Sequence, residues 1–326
     1  MNKRILILTA ATAMIFALPA PAEFTEPDTS GLASKYIADV GIEKDPNVIF
    51  TENFEEGSIK AITTRWDEAK NSSCLSLAKD VPAGSSGKHS ILFTHIEGQE
   101  SAHLYRQLLP GYDQLYLRFY TKFDPDCHPI SHFLHVGGHN PPTPWAQGGA
   151  GTRPDGDKWF TTGAETCGAS WHWDFYSYWM EMKACPTGKF WGNDFINDKN
   201  LTVPKGEWIC VELMTKMNNP VTERNGQQTI WINGRLWKEN GQITSHIGKG
   251  FPKGNWVWDS WNPDPEGTEF EGFRWRSVKE LNLNYLWLLV YMTTDKNPGH
   301  HNKVWIDDVV VAKKYIGPIT AKKTEK

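Results

Sequence analysis

The stretch QLYLRFYTKF at residues 114–123 alternates apolar and polar side chains. Because successive side chains of a β-strand point to opposite faces, this period of two predicts a strand with one face against a core. The apolar face carries four large residues: Leu115, Leu117, Phe119 and Phe123. The other face carries aromatic and charged residues: Tyr116, Arg118, Tyr120 and Lys122. This second face is too polar for a core and too aromatic for an ordinary surface.

Similar strands recur along the chain, at 48–54, 89–95, 208–216, 228–237, 285–293 and 303–316. The 228–237 segment contains Asn233–Gly234, which is typical of a tight hairpin turn. No long apolar stripe with a period of 3.6 residues interrupts these strands. Many short strands separated by Gly, Pro and Asn predict an all-β sandwich, and about 300 residues suit one such domain.

The N-terminal 22 residues resemble an export signal. Lys3 and Arg4 precede an apolar run from Ile5 to Leu18, and Ala20-Pro21-Ala22 fits a cleavage site. The run is short for a membrane anchor, which is the alternative. We therefore expect a secreted or periplasmic protein without a membrane partner after cleavage. The expected organisation is a signal at 1–22, an N-terminal arm at 23–46, one β-domain at 47–318 and a polar tail at 319–326.

Composition narrows the class of partner. The net charge is −4 and there is no strongly basic tract, so we expect no nucleic-acid partner. The chain has 16 Trp, 10 Tyr and 15 Phe, and exposed aromatic rings stack on the faces of sugars. We expect most of these rings in the core and a minority in a carbohydrate-binding cleft of a monomeric protein.

Two long segments carry many Gly and Pro residues, at 137–170 and 249–276. Their aromatic content indicates ordered loop insertions over a site rather than disorder. The chain also has five cysteines. Export permits disulfides, and the pair Cys167–Cys185 is the expected bridge because it would join the ends of an aromatic segment.

Four stretches together resemble a known fold family: VIFTENFEEG (48–57), GKHSILFTH (87–95), KGEWICVELMTKMNNP (205–220) and KVWIDDVVVAKKYIGP (303–318). They are similar to secreted polysaccharide lyases of the glucuronan and alginate lyase kind, over roughly residues 47–318. The resemblance implies a concanavalin A-like β-jelly-roll sandwich with long loop insertions. It also implies a concave cleft that binds polysaccharide. The same fold carries lyases, glycoside hydrolases and non-catalytic sugar binders, so the fold alone does not choose among these functions.

We assign the polar and aromatic strand faces to this cleft. β-Elimination of a uronate polymer needs a group that neutralises the C6 carboxylate, a base for the C5 proton and an acid for the leaving oxygen. Arg118 or Lys122 is expected to neutralise the C6 carboxylate. Tyr291 is expected as base, acid or both, since it lies on the penultimate strand, where similar lyases often place a catalytic tyrosine. The expected substrate-binding residues are Tyr116, Trp173, Glu181, Glu212, Lys216 and Trp287.

The sequence SHFLHVGGHN (131–140) contains His132, His135 and His139. On a helix all three would converge on one metal ion, but on a strand His132 and His135 point to opposite faces. A strand is favoured, so either His132 or His135 is expected as a catalytic partner in the cleft, or as a structural histidine.

Two other functions stay open. A glycoside hydrolase would need two carboxylates across the scissile bond, and Glu181 and Glu212 are the available pair. A non-catalytic glycan-binding protein would use the aromatic residues alone.

Jelly rolls of this kind often join the first strand to the last through calcium. Glu52, near Glu55 in the opening turn, and Asp308 in the closing strand are the expected ligands. Adjacent residues of a strand face opposite ways, so only one of Asp307 and Asp308 is expected to reach the ion. No organic cofactor is expected.

The export signal gives the first prediction. Expression in a host with the matching export pathway should yield a mature protein that begins at Glu23, because cleavage follows Ala22. Intact mass and N-terminal sequencing of the exported protein check this. Recovery of the protein only in the membrane fraction, with its N terminus intact, would favour the anchor instead.

Overall fold

The computed structural model describes residues 20, 22–167, 171–196, 198–249, 251–258, 260–264, 266–292 and 297–321. Most of the expected signal segment and residues 322–326 of the expected tail lie outside these ranges. No helix among the described residues has the length and apolar character needed to cross a membrane. The described chain is almost entirely β-structure, as its alternating sequence predicts.

The described residues form twenty strands in chain order: β1 Glu23–Phe24, β2 Val48–Glu52, β3 Glu68–Lys70, β4 Leu75–Ala78, β5 Ser90–Ile96, β6 His103–Tyr112, β7 Gln114–Phe123, β8 His132–His139, β9 Trp159–Cys167, β10 His172–Tyr178, β11 Ile209–Lys216, β12 Gln227–Ile232, β13 Trp237–Glu239, β14 Gln242–Ile243, β15 His246–Ile247, β16 Phe251–Val257, β17 Ser260–Pro263, β18 Thr268–Phe270, β19 Leu283–Tyr291 and β20 His301–Ala312. The helices are short: 3-10 turns at Leu32–Lys35, Ile42–Lys44 and Ser72–Cys74, and α1 at Ile59–Thr63. Ser58 caps α1 by accepting a hydrogen bond from the Ala61 amide at 3.2 Å.

Two antiparallel sheets make the sandwich. One has six strands in the order β10-β9-β8-β19-β6-β3. The other follows the order β15-β12-β11-β7-β20-β5-β4, with β2 paired to β20. Two smaller sheets, β1-β13-β14 and β17-β16-β18, lie outside this pair. The architecture is the predicted jelly-roll sandwich.

The core lies between the two large sheets. Phe119 and Phe123 of β7 contact Phe133 of β8, with ring centroids 5.7 and 5.3 Å apart. The apolar face predicted for β7 is buried here in full, as is the corresponding face of β19. Burial of such aromatic rings supplies the main driving force for joining the sheets.

The predicted hairpin at Asn233–Gly234 is present. Both residues have positive φ, 51° and 72°, and the backbones of Ile232 and Arg235 exchange hydrogen bonds of 2.9 and 3.0 Å. This conformation matches the twist of the flanking strands.

The two expected loop insertions contain more strand than the sequence indicates. Residues 159–167 of the first form β9, which belongs to the six-stranded sheet. Half of the second forms the small sheet β17-β16-β18. The predicted continuous loop at 137–170 is therefore wrong in its second half, because pairing with β8 on one side and β10 on the other satisfies the β9 backbone.

The polar face of β7 is buried rather than open. The N-terminal arm packs on it, with Leu32, Ala33 and Ile42 against Val310 and Ile316. The expectation that this face forms the cleft is therefore wrong, because residues distant in sequence cover it.

A buried ion pair joins the arm to the sheet. Arg118 is fully buried and pairs with Asp39 of the arm. Its guanidinium also donates to the carbonyls of Gly317 at 3.2 Å and Asp308 at 3.1 Å. A buried arginine with these partners holds the arm, the sheet and the C-terminal segment together.

All five cysteines lie in the described ranges and all have free thiols. The expected Cys167–Cys185 disulfide is therefore not formed in this structure. The Cys185 thiol lies 3.0 Å from the Thr187 hydroxyl instead.

The ion pair gives a stability prediction. Arg118→Met should reduce the free energy of unfolding by about 3–5 kcal/mol, because it leaves the Asp39 carboxylate buried without its partner. Urea denaturation measures the change. Lys216→Met, at an exposed position at the end of β11, is the control and should change stability by less than about 0.5 kcal/mol.

The double variant Asp39→Asn with Arg118→Met should recover part of the loss, because neither charge then remains buried and asparagine tolerates the positive φ at position 39. A double variant as unstable as Arg118→Met alone would mean that the lost packing of Arg118, and not the unpaired charge, sets the cost.

Candidate active site

A cleft of about 880 Å³ lies over the outer face of the six-stranded sheet. Its floor comes from β6, β8, β9, β10 and β19, and its walls come from the 147–150 loop, Trp191 and Trp258. The side chains that line it are mainly aromatic or histidine: His103, His132, His135, Tyr176, Tyr178, Trp191, Trp258, Trp287 and Tyr291. A cavity of this size and composition is suited to several sugar rings.

The two histidines of β8 share one face, contrary to the simple alternation. Both Phe133 and Leu134, between them, pack into the core. The pairing of β8 with β19 shifts by one residue between the Leu288–Leu134 pair and the Tyr291–His132 pair. At this β-bulge two residues of β19 lie opposite one residue of β8, and His132 lies on the same side of the sheet as His135. The prediction that these two histidines face opposite ways is therefore wrong.

Glu165 of β9 joins the two histidines from below. One of its oxygens, Oε1, lies 2.9 Å from Nδ1 of His132 and 2.9 Å from Nε2 of His135. The other nitrogen of His135, Nδ1, lies 3.1 Å from the hydroxyl of Thr161. These contacts fix both imidazole rings against the floor of the cleft.

The electrostatics of this cluster follow from burial and charge. Burial favours the neutral form of Glu165, but the two histidines outweigh it and lower the pKa of this carboxyl. Burial also opposes charge on His132, but the charge and hydrogen bond of Glu165 outweigh it and raise the pKa of His132. Glu165 therefore favours the charged form of His132.

Tyr291 lies beside this cluster at the end of β19. Its ring is nearly parallel to that of His132, at 4° with centroids 5.4 Å apart. Its backbone carbonyl accepts a hydrogen bond of 2.9 Å from the Ser131 amide, which keeps the two strands in register. The side chain is 48% exposed, so its hydroxyl is accessible from the cleft.

The remaining walls are aromatic and largely neutral. Trp287 packs against His135 and His103, with centroids 5.9 and 5.6 Å apart. The hydroxyls of Tyr176 and Tyr178 lie 3.3 Å apart, and burial raises the pKa of both. No lysine or arginine is among the described residues that line the cleft.

Four of the predicted site residues meet in this cleft: His132, His135, Trp287 and Tyr291. Each was assigned from strands β8 and β19, which form the centre of the six-stranded sheet.

The residues predicted from β7 and β11 lie elsewhere, because these strands belong to the other sheet. Arg118 is buried beneath the N-terminal arm, and Glu212 accepts hydrogen bonds from the Ile316 and Gly317 amides at 2.7 and 2.8 Å. Lys122 pairs with Asp80 and covers the ring of Trp305. These three are structural contacts of the outer face, and their assignment to the cleft is wrong.

Tyr116 and Lys216 lie on the same outer face as Glu212, half-buried and exposed respectively. The Tyr116 ring lies 6.2 Å from that of Trp231. Neither residue lines the cleft.

Trp173 and Glu181 are also misassigned. Trp173 is on β10 but faces the core, where it contacts Phe133. Glu181 accepts from Nε of Arg224 through both of its carboxylate oxygens, at 3.1 and 2.9 Å, in a separate cavity. The hydrolase pair Glu181 and Glu212 therefore does not share one cleft, which removes the basis for that alternative.

Sequence reasoning missed Glu165, Thr161, Tyr176 and Tyr178. All four lie on β9 or β10, within or beside the segment expected to be a loop. The alternation of Thr161, Gly163 and Glu165 is a strand signal that was available in the sequence. A side chain at position 163 is excluded, because its Cβ would lie 1.9 Å from the Leu134 carbonyl oxygen.

The expected calcium ligands lie on β2 and β20 of the other sheet. Glu52 is buried and accepts from the Phe54 amide at 2.9 Å, Arg65 at 3.3 Å and the Trp66 indole at 3.2 Å. Asp307 and Asp308 are both buried, each with one carboxylate oxygen that has no hydrogen-bond partner. Strict alternation fails here too, because Asp308 has a φ of 45° and the β20–β7 register shifts beside it.

Comparison with known proteins agrees with this architecture. No known protein family and no curated protein matches the sequence. Among solved structures, the chain is similar to a marine PL-14 alginate lyase from Aplysia kurodai, with a TM-score of 0.52 and 10% identity over 82% of this chain and 99% of that chain. A variant of alginate lyase Aly36B in complex with an alginate trisaccharide has a TM-score of 0.50 and 12% identity, over 82% of this chain and 98% of that chain.

An endo-β-1,4-glucuronan lyase from the fungus Trichoderma reesei gives a TM-score of 0.41 and 14% identity, over 82% of this chain and 95% of that chain. At such identities the alginate lyase similarity establishes the fold alone. The chain therefore has the jelly-roll fold seen in alginate lyases, and the predicted fold class is confirmed.

Proposed function

We propose that the protein is a polysaccharide lyase that cleaves an acidic, uronate-containing polymer by β-elimination in this cleft. The observation that carries the proposal is the placement of Tyr291 beside His132 at the floor of an aromatic cleft. An alginate oligosaccharide complex of a protein with the same fold supports a polysaccharide ligand.

In the proposed reaction the C5 proton passes to a base, the C4–O bond breaks as a C4–C5 double bond forms, and an acid protonates the leaving oxygen. Tyr291 has an accessible hydroxyl and is assigned the proton transfers. His132 is assigned to the uronate carboxylate, in place of Arg118 and Lys122, and His135 is assigned a positioning role because both its ring nitrogens already contact Thr161 and Glu165. Trp191, Trp258 and Trp287 are assigned to stacking on sugar rings.

A non-catalytic glycan-binding protein is the second candidate. The same three tryptophans favour it, because an aromatic cleft binds sugars whether or not proton transfer follows. Secretion or export to the periplasm, and a monomeric state, remain part of the proposal, since a polymer outside the cytoplasm is the expected substrate.

The lyase proposal predicts the effect of Tyr291→Phe. On a panel of polyuronides, the wild-type protein should increase the absorbance of unsaturated chain ends, and this variant should lose about a hundredfold or more of the rate, because only the hydroxyl is removed. Tyr112→Phe, on β6 but outside the cleft lining, is the control and should keep full activity.

Full turnover in Tyr291→Phe would exclude Tyr291 as acid or base. Wild-type protein that yields no unsaturated ends on any polyuronide, but is retarded in a polysaccharide gel, would support the binding protein instead.

A structural calcium ion at Asp308 is a further part of this proposal. Asp308 has a buried carboxylate oxygen without a hydrogen-bond partner, and a cation would satisfy it. Both oxygens of Glu52 already have protein partners, so Glu52 fits this role less well than Asp308.

Removal of calcium with EGTA should therefore lower the melting temperature, and added calcium should restore it. Asp308→Asn should abolish this response, and asparagine tolerates the positive φ at this position. A melting curve that EGTA leaves unchanged, with no calcium in elemental analysis, would rule the site out.

A further inference from the structure

Three side chains at the cleft floor converge as metal ligands do. The two imidazole nitrogens approach the same Glu165 oxygen at 2.9 Å each, and the ligand atoms of the three residues all lie within 4.8 Å of one another. Two imidazoles and one carboxylate form a ligand set that is typical of catalytic zinc sites. Such sites keep a further position open for water or substrate.

Thr161 supports His135 on the side of the ring away from Glu165. The Thr161 hydroxyl lies 3.1 Å from Nδ1 of His135, in the place of the outer hydrogen-bond partner of a metal-bound histidine. Nε2 of His135 therefore faces the Glu165 oxygen and His132.

Ring orientation favours a metal ion at this cluster. The rings of His132 and His135 are nearly perpendicular, at 89° with centroids 5.7 Å apart, so in-plane lone pairs can meet at one point.

A second cluster, of Glu97, His128 and His300, has a different orientation of its imidazole rings. Its two imidazole rings are stacked at 3.9 Å and 7°, so their lone pairs lie in parallel planes and do not meet at one ion. His300 also lies 2.9 Å from the Asp126 carbonyl oxygen through Nε2. This second cluster is a hydrogen-bonded link between loops and serves as a control.

The cleft also lacks a fixed cation for an acidic sugar. Lysine and arginine are absent from its described lining, and Arg118 and Lys122, which were expected there, lie on the other sheet. A metal ion at the floor would supply this charge directly, since a divalent cation polarises a carboxylate as a Lewis acid.

We propose that His132 Nδ1, His135 Nε2 and a Glu165 carboxylate oxygen bind one divalent transition-metal ion of the zinc class, with an open position toward the cleft for the carboxylate of a uronate residue. The metal-binding half of this inference stands on the cluster geometry alone, and the role toward the sugar rests on the proposed lyase function.

Metal binding is tested without any substrate. The purified protein is stripped with 1,10-phenanthroline in the presence of millimolar calcium, which leaves a calcium site filled. Zinc chloride is then titrated by calorimetry, and cobalt(II) is added separately to record its visible absorption. One zinc ion per chain, with a cobalt spectrum of a four- or five-coordinate site, is the expected result.

Two variants locate the ion. Glu165→Gln and His135→Asn should each weaken zinc binding at least tenfold, because each removes one ligand. His128→Asn, in the stacked cluster, should bind zinc as the wild type does. Circular dichroism and melting curves confirm that each variant is folded, and if Glu165→Gln fails to fold, His135→Asn alone carries the comparison. Zinc binding that is absent in the wild type, or that is lost only in His128→Asn, overturns the proposal.

Lyase assays on the same samples distinguish the metal-site proposal from the proposed lyase function. Loss of activity on stripping and recovery with zinc supports both. Zinc bound at the cluster in a protein without lyase activity supports the site and overturns the proposed function. Full lyase activity in stripped protein that binds no zinc supports the proposed function and overturns the metal site.

Discussion

The one-residue shift in pairing between β8 and β19 is the feature on which the candidate site depends. With regular pairing, His132 or His135 would face the core, and the cluster around Glu165 would not form. The shift interrupts the regular pairing, and beside it His132, His135 and Tyr291 lie on one face of the sheet together with Glu165 of the neighbouring strand β9. Bulges of this kind often occur beside functional sites because they redirect a side chain without disturbing the sheet around it.

Charged residues have different roles on the two outer faces of the sandwich. On the eight-stranded side, Arg118 and Glu212 bind the N-terminal arm and the C-terminal segment, and they are buried by that contact. On the six-stranded side the cleft is open, and the described residues that line it include three histidines but no lysine, arginine or carboxylate. A cleft with few fixed charges leaves a small number of groups to recognise an acidic sugar, and this is why the cluster is central to both proposals.

Similarity to alginate lyases in fold, at 10–12% identity, explains the architecture and leaves the chemistry to the side chains. The lyase assignment therefore stands on Tyr291 and His132 and on the aromatic cleft around them. A binding protein would need the tryptophans but not the Tyr291 hydroxyl. A zinc-dependent enzyme would also need the cluster of His132, His135 and Glu165. These roles are separable because they depend on different atoms.

The sequence by itself determined the all-β class, the core faces of β7 and β19, the Asn233–Gly234 hairpin, and Trp287 and Tyr291 as cleft residues, because a period of two is a local property of the backbone. It did not determine which sheet each polar face belongs to, so Arg118, Lys122 and Glu212 were placed in the cleft although the arm or distant loops cover them. It also missed Glu165, because a Gly- and Pro-rich stretch conceals the start of β9. Only the tertiary structure decided these points, since burial by the arm, the pairing of β9 with β8 and the register shift beside His132 all arise from contacts between residues far apart in the chain.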